Sequence, residues 1–196
     1  MTRRRQISFV ATCAALCLAG AFFLSAEVPL AEATVRASAV EDFDIALIAG
    51  RSLRSRVVRL FGGKVYEWSH VGILRKEGDS VFLLHATPDA RGGNAIRYEP
   101  LDMLFTRRSV SGIRVIRQTG ITPEQWDAIR DNFEKARAEI RPFDYAFDMH
   151  DHSTIYCSEL ILMVFPELAC DVDTRHAVHP SVFGTLANSI TVLTSK

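Results

Sequence analysis

Apolar positions along this chain recur at two periods, and the switches between them mark its elements. Leu53, Val57, Leu60 and Phe61 fall at helical spacing, with Arg51, Arg54, Arg56 and Arg59 elsewhere on the surface, and Gly62 and Gly63 close the helix they predict. Its basic face reads as solvated, although the same face suits contact with anionic lipid. Residues 44–48 form a brief apolar run suited to a strand. Residues 69–76 and 80–86 are two β-rich runs on either side of Gly78 and Asp79, which is a hairpin signal. Ile113 and Val115 alternate within 112–117 as a half-buried strand would. Thr122, Pro123 and Gln125 mark a helix start: a capping threonine, a proline in the first turn and a glutamine that completes a capping box. Trp126, Ile129, Phe133, Ala136 and Ile140 follow as one apolar stripe, read as core. A second helix runs over about 157–165, with Ser153 and Thr154 ahead of it as candidate caps and Pro166 as its stop. A short strand near 190–193 ends the chain. This order predicts an α+β domain with a mainly antiparallel sheet packed against helices.

The first residues differ in kind. Arg3, Arg4 and Arg5 precede an uncharged apolar run over 7–24, and small residues follow, with cleavage expected after Ala26 or after Ala33 of Ala31, Glu32, Ala33. Residues 1–33 are read as a signal peptide, or as an N-terminal membrane anchor, since the run is near the lower limit for a span. Residues 34–41 read as a linker and 42–196 as the folded domain. The expected location is secreted or periplasmic, or anchored to the membrane by the N-terminal segment.

Charge changes the picture by exclusion. The chain carries 23 basic and 23 acidic side chains, and removing residues 1–26 leaves 20 basic against 23 acidic. That balance argues against a nucleic-acid partner. Cys13 and Cys17 lie in the leader, leaving Cys157 and Cys170. In an oxidising compartment two cysteines suggest a disulfide, and a bridge between them would make the chain a non-catalytic envelope-binding module.

The candidate chemistry begins with the histidines. If the hairpin turn has an even number of residues, paired positions sum to 157 and Gly72 faces His85. His70 then lies diagonal to His85 on the same face, with no Gly72 side chain between the rings. An odd turn would send the two rings to opposite faces. Two apposed imidazoles suit either a metal site, with His150, Asp151, His152 or Cys157 as a third ligand, or a base and its orienter. Cys157 favours the second. A thiol in the first turn of a helix meets unpaired N–H groups and the positive end of the dipole, and a nearby imidazolium lowers its pKa further, giving a reactive ion pair.

The residues Asp44 and Ile45, then Ser69, His70 and Gly72, then Pro142, Phe143 and Asp144, then Tyr156, Cys157, Ser158 and Glu159, and last Val178, His179, Pro180 and Ser181, resemble in order the circularly permuted papain-like cysteine hydrolases, the YiiX/YebB-like branch of the NlpC-type superfamily. The resemblance spans about 44–193. It implies a permuted papain-like/NlpC-type α+β core, Cys157 as nucleophile, His70 as base and His85 as the third member. Three positions depart from the pattern: Phe43 stands where a glycine is usual, Phe143 where a tyrosine is common, and His85 where many relatives carry glutamate. As a neutral imidazole, His85 would stabilise a charged His70 less than a carboxylate does.

Together these residues predict an extracytoplasmic cysteine hydrolase cleaving an amide or ester bond through an acyl-enzyme on Cys157. The substrate expected is a peptide amide or lipid ester of the cell envelope. No metal or organic cofactor is required, and membrane association through the N-terminal segment is a further expectation. A lipid acyltransferase or phospholipase of the lecithin retinol acyltransferase-like type is the alternative from the same chemistry. Trp68 and Tyr156 flank the site as candidates for lining the substrate groove, with core packing as the other reading. Asp144, Asp148 and Asp151 read as solvated turn acids. His150, His152 and His176 are unassigned.

Overall fold

Strand and helix follow the two periodicities. The computed structural model describes residues 37–60, 64–89, 91–106 and 109–195. In chain order the elements are β1 (Ile45–Gly50), α1 (Leu53–Arg59), β2 (His70–Glu77), β3 (Ser80–Ala86), β4 (Ile96–Pro100), α2 (Asp102–Thr106), β5 (Val110–Gln118), α3 (Pro123–Ala138), α4 (Cys157–Val164) and β6 (Ser189–Ser195). Short 3-10 turns occupy Ala37–Ala39, Pro166–Cys170 and Pro180–Thr185. The six strands form one sheet in the order β4-β3-β2-β1-β5-β6, and every neighbouring pair is antiparallel. The chain is therefore α+β, as its pattern predicts. β4 and α2 were not legible in that pattern.

β1 is buried along its whole length because it feeds two cores. Ile45, Leu47 and Ala49 point to the face covered by α3 and α4, while Ala46 and Ile48 join Leu74, Leu83 and Val115 on the other. The residues just before β1 belong to the fold. Val40 is buried with the second cluster, and the Asp42 carboxylate accepts the Lys76 N–H at 2.8 Å, so the stretch read as a linker is tied down at its end. Asp44 is buried, and its two carboxylate oxygens take Nε and Nη2 of Arg117 at 2.8 Å each. Beside it, Phe43 has φ 69°, the left-handed region in which a glycine is at ease. Its ring lies edge-on to Phe133 at 5.4 Å and tilted on Trp126 at 6.0 Å, under the Arg75 guanidinium at 5.2 Å. That packing offsets a backbone cost of about 1 kcal/mol.

α3 begins at the predicted capping box: Gln125 N–H donates to Thr122 Oγ1 at 3.3 Å, and Thr122 N–H donates to the Gln125 side chain at 2.8 Å. Ile129, Phe133 and Ala136 are buried, but Ile140 lies past the helix end and is exposed, so the stripe stops a turn early. α4 starts at Cys157, yet Ser153 and Thr154 do not cap it, since both hydroxyls donate to Asp151. Glu159 does that work by accepting the Tyr156 N–H at 3.0 Å. α1 departs most from its pattern, because Leu53, Val57 and Leu60 face outward. Among the described residues no helix is long and apolar enough to cross a membrane. The signal or anchor read over 1–33 lies outside the described residues, as do Phe61, Gly62 and Gly63.

Candidate active site

The hairpin carries the first half of the site. Its ladder pairs Ile73 with Leu84 through to Glu77 with Ser80, so each pair sums to 157 and the turn is Gly78 and Asp79, with Gly78 at φ 62°. This register brings His70 Nε2 to 2.7 Å from His85 Nδ1, with ring centroids 5.0 Å apart. Gly72 makes that approach feasible. A Cβ there would stand 2.7 Å from Leu83 Cδ1, 2.8 Å from the Leu84 carbonyl oxygen and 3.0 Å from His85 Cβ.

The next partner was not foreseen in the sequence. His85 Nε2 lies 3.2 Å from Glu99 Oε1. Glu99 is on β4, whose register sets His85 opposite Arg97 and so puts Glu99 one diagonal step away. The signal available was the alternation of Ile96 and Tyr98 with Arg97 and Glu99, in a run that also holds a proline. A carboxylate at Glu99 accepts only, so His85 bears a proton on Nε2, and in its neutral form it leaves Nδ1 bare. His70 must then donate from Nε2, and its own Nδ1 keeps a free lone pair. One carboxylate thus sets the tautomer of two rings in series.

α4 supplies the second half. Cys157 opens the helix, and the N–H groups of Val71, Ser158 and Cys157 itself lie near enough to its sulfur to favour its charged form. Val71 directly follows His70 in β2, so the thiol is held beside the histidine strand. The Ser158 hydroxyl, fully buried beside it, has no hydrogen-bond partner among the described residues. These donors favour thiolate, but burial outweighs them and pushes the Cys157 thiol up to about 11. Burial, with His85 adding to it, moves His70 down to about 3. Both shifts disfavour the charged forms. Desolvation thus works against the expected ion pair, favouring thiol and neutral imidazole over their charged forms.

Comparison with known proteins now decides the family. Residues 46–195 match the permuted papain-like amidase enzymes of the YaeF/YiiX, C92 family. The chain belongs to that family. A solved structure described as the metalloprotein yiiX from Escherichia coli O157:H7 shares the fold, with a TM-score of 0.60 at 18% identity, covering 79% of this chain and 97% of that one. No curated protein matches in sequence. Although yiiX is described as a metalloprotein, no group of three or more His, Cys, Asp or Glu side chains among the described residues of the present chain is placed to hold a metal ion.

Within this member of the papain-like amidase family, the remaining candidates sort by burial. Trp68 is 2% exposed, with Arg114 stacked over its ring and Ser181 Oγ accepting its N–H, and Tyr156 is 2% exposed, with its hydroxyl accepting the Val178 N–H at 2.9 Å. Neither offers surface to a substrate, so the groove-lining reading is corrected to core packing. Cys157 and Cys170 are both free, one buried and one exposed, which removes the disulfide-bridged alternative. Asp144, Asp148 and Asp151 accept backbone N–H groups of their own loop. His179 is structural: its Nδ1 accepts the Ser181 N–H, its Nε2 lies 3.0 Å from the Val58 carbonyl oxygen, and its ring stacks on Tyr66 at 3.9 Å.

Proposed function

We propose that this amidase-family protein is a cysteine hydrolase working outside the cytoplasm on an amide or ester of the cell envelope. Cys157 is its nucleophile, His70 its general base, and His85, backed by Glu99, its orienter. The observation that carries the reading is the placement of one sulfur beside Val71 while the neighbouring His70 has its Nε2 engaged by His85, leaving Nδ1 to take a proton. His70 Nδ1 removes the thiol proton as the sulfur bonds to the carbonyl carbon. The N–H of Cys157, in the first turn of α4, is the donor assigned to the oxyanion that forms. Collapse breaks the bond to the amine or alcohol, which leaves with the proton from His70 and yields a thioester. Water then attacks that thioester, His70 takes one of its protons, and the acid departs as the thiol is restored. Starting from a neutral pair, proton transfer accompanies attack. The negative charge that a neutral His85 lacks is supplied one step further back by Glu99.

The test is labelling by an activity-based thiol probe in a Cys170→Ala background, which removes the exposed thiol. Cys157→Ala should abolish labelling, and His70→Ala should reduce it sharply. Glu99→Gln should lower the rate about tenfold, the scale for losing a partner that orients a site histidine. Equal labelling of all four proteins would refute the assignment.

A further inference from the structure

Helix α1 is built inside out. Leu53, Val57 and Leu60 share one side at steps of four and three, and they are 77%, 64% and 60% exposed; Val65, just beyond, is 83% exposed. Turned inward instead are Ser55, which fills the space that a side chain on Gly50 would need, and Val58, whose carbonyl oxygen meets His179. Arg54 and Arg56 flank the outer stripe on its two sides, with Arg51, Arg59 and Lys64 around it. From 45 to 66 there is no acidic residue, and none of these five cations is ion-paired among the described residues.

The helix that carries this surface is tied to the site by a run of contacts. The Tyr66 N–H donates to the Arg59 carbonyl at 2.7 Å, and Tyr66 stacks on His179. From His179 the chain passes to Ser181, bonded to Trp68 two residues before His70, and back to Val178, bonded to the Tyr156 hydroxyl beside Cys157.

The chemistry of the face selects its occupant. A nucleic acid or an acidic protein would use the arginines and leave the aliphatic stripe in water. A second copy of the chain would bring five cations against five. An anionic bilayer uses both, because Leu53, Val57 and Leu60 enter the acyl boundary while the guanidinium groups reach lipid phosphates from either side. We infer that the outer face of α1 docks on an anionic lipid surface and holds the Cys157 site against it. The surface does not depend on the catalytic assignment. Together the two give a hydrolase whose substrate lies at, or anchored in, the bilayer.

Hydrogen exchange of the full chain reads the surface locally, apart from any binding by the N-terminal segment. Amides over 51–60 should slow with vesicles containing phosphatidylglycerol and not with phosphatidylcholine alone. Replacing Arg51, Arg54 and Arg56 together by Gln should weaken the phosphatidylglycerol-dependent protection about 100-fold, roughly fivefold per arginine. Val57→Ser with Leu60→Ser should abolish it with the arginines intact. Thiol-probe labelling of Cys157 should persist in both variants, which separates failure of docking from failure of the catalytic reading. Unchanged exchange over 51–60 with either vesicle, equal slowing with both, or slowing that rises with protein concentration in the absence of lipid would each overturn the inference.

Discussion

Two short helices make opposite use of apolar residues. In α4 seven of eight residues are buried, among them Glu159 and Ser158. In α1 none is buried, although its leucine and valines repeat at clean helical spacing. α4 stands between the sheet and α3, so every direction around it is protein, and even its acid is drawn in. α1 touches the body along one side only, through a serine and a valine. A periodic stripe therefore identifies a helix and a face, and leaves open whether that face meets the core or something outside the molecule.

This contrast can be broken at three points. Leu160→Ala in α4 should cost about 3 kcal/mol in denaturant unfolding, since it empties a fully buried site. A value under about 1 kcal/mol would mean that α4 is not the closed element described. Burial raises the Glu159 carboxyl to about 7. Its folded pKa lies above its unfolded value, so stability should fall as pH rises from the ordinary carboxyl range through about 7, and Glu159→Gln should flatten that slope in thermal melts. An unchanged slope would place the charge in water. Smallest of all, Leu53→Ala in α1 should shift stability by no more than about 0.5 kcal/mol in the absence of lipid. A larger loss would show that the stripe packs on protein.

The site was legible wherever parity and local chemistry determine position. The His70–His85 contact follows from an even hairpin turn and a glycine, and both are visible in the residues. The cysteine at a helix start follows from its neighbours. Glu99 was not legible, because its strand is a five-residue edge containing a proline, with too few apolar positions to announce itself. For Trp68 and Tyr156 the residues left both readings open, because an aromatic ring next to reactive residues suits a groove and a core equally well in sequence. Their burial, at 2% exposure each, decides between them. The burial around Cys157 was not legible for a related reason: helix position predicts the donors around a sulfur, while the loss of water that opposes thiolate comes from distant chain.

The three side chains behind the thiol sit on three successive strands, so the line of hydrogen-bonded groups runs across the sheet and ends on β4, one of its two outermost members. Edge strands fray first. On the proposed assignment, reactivity in this molecule is thus fastened to one of the two edges of the sheet. Inactivation should then precede the cooperative melt, as a fuse opens before the circuit it guards is damaged.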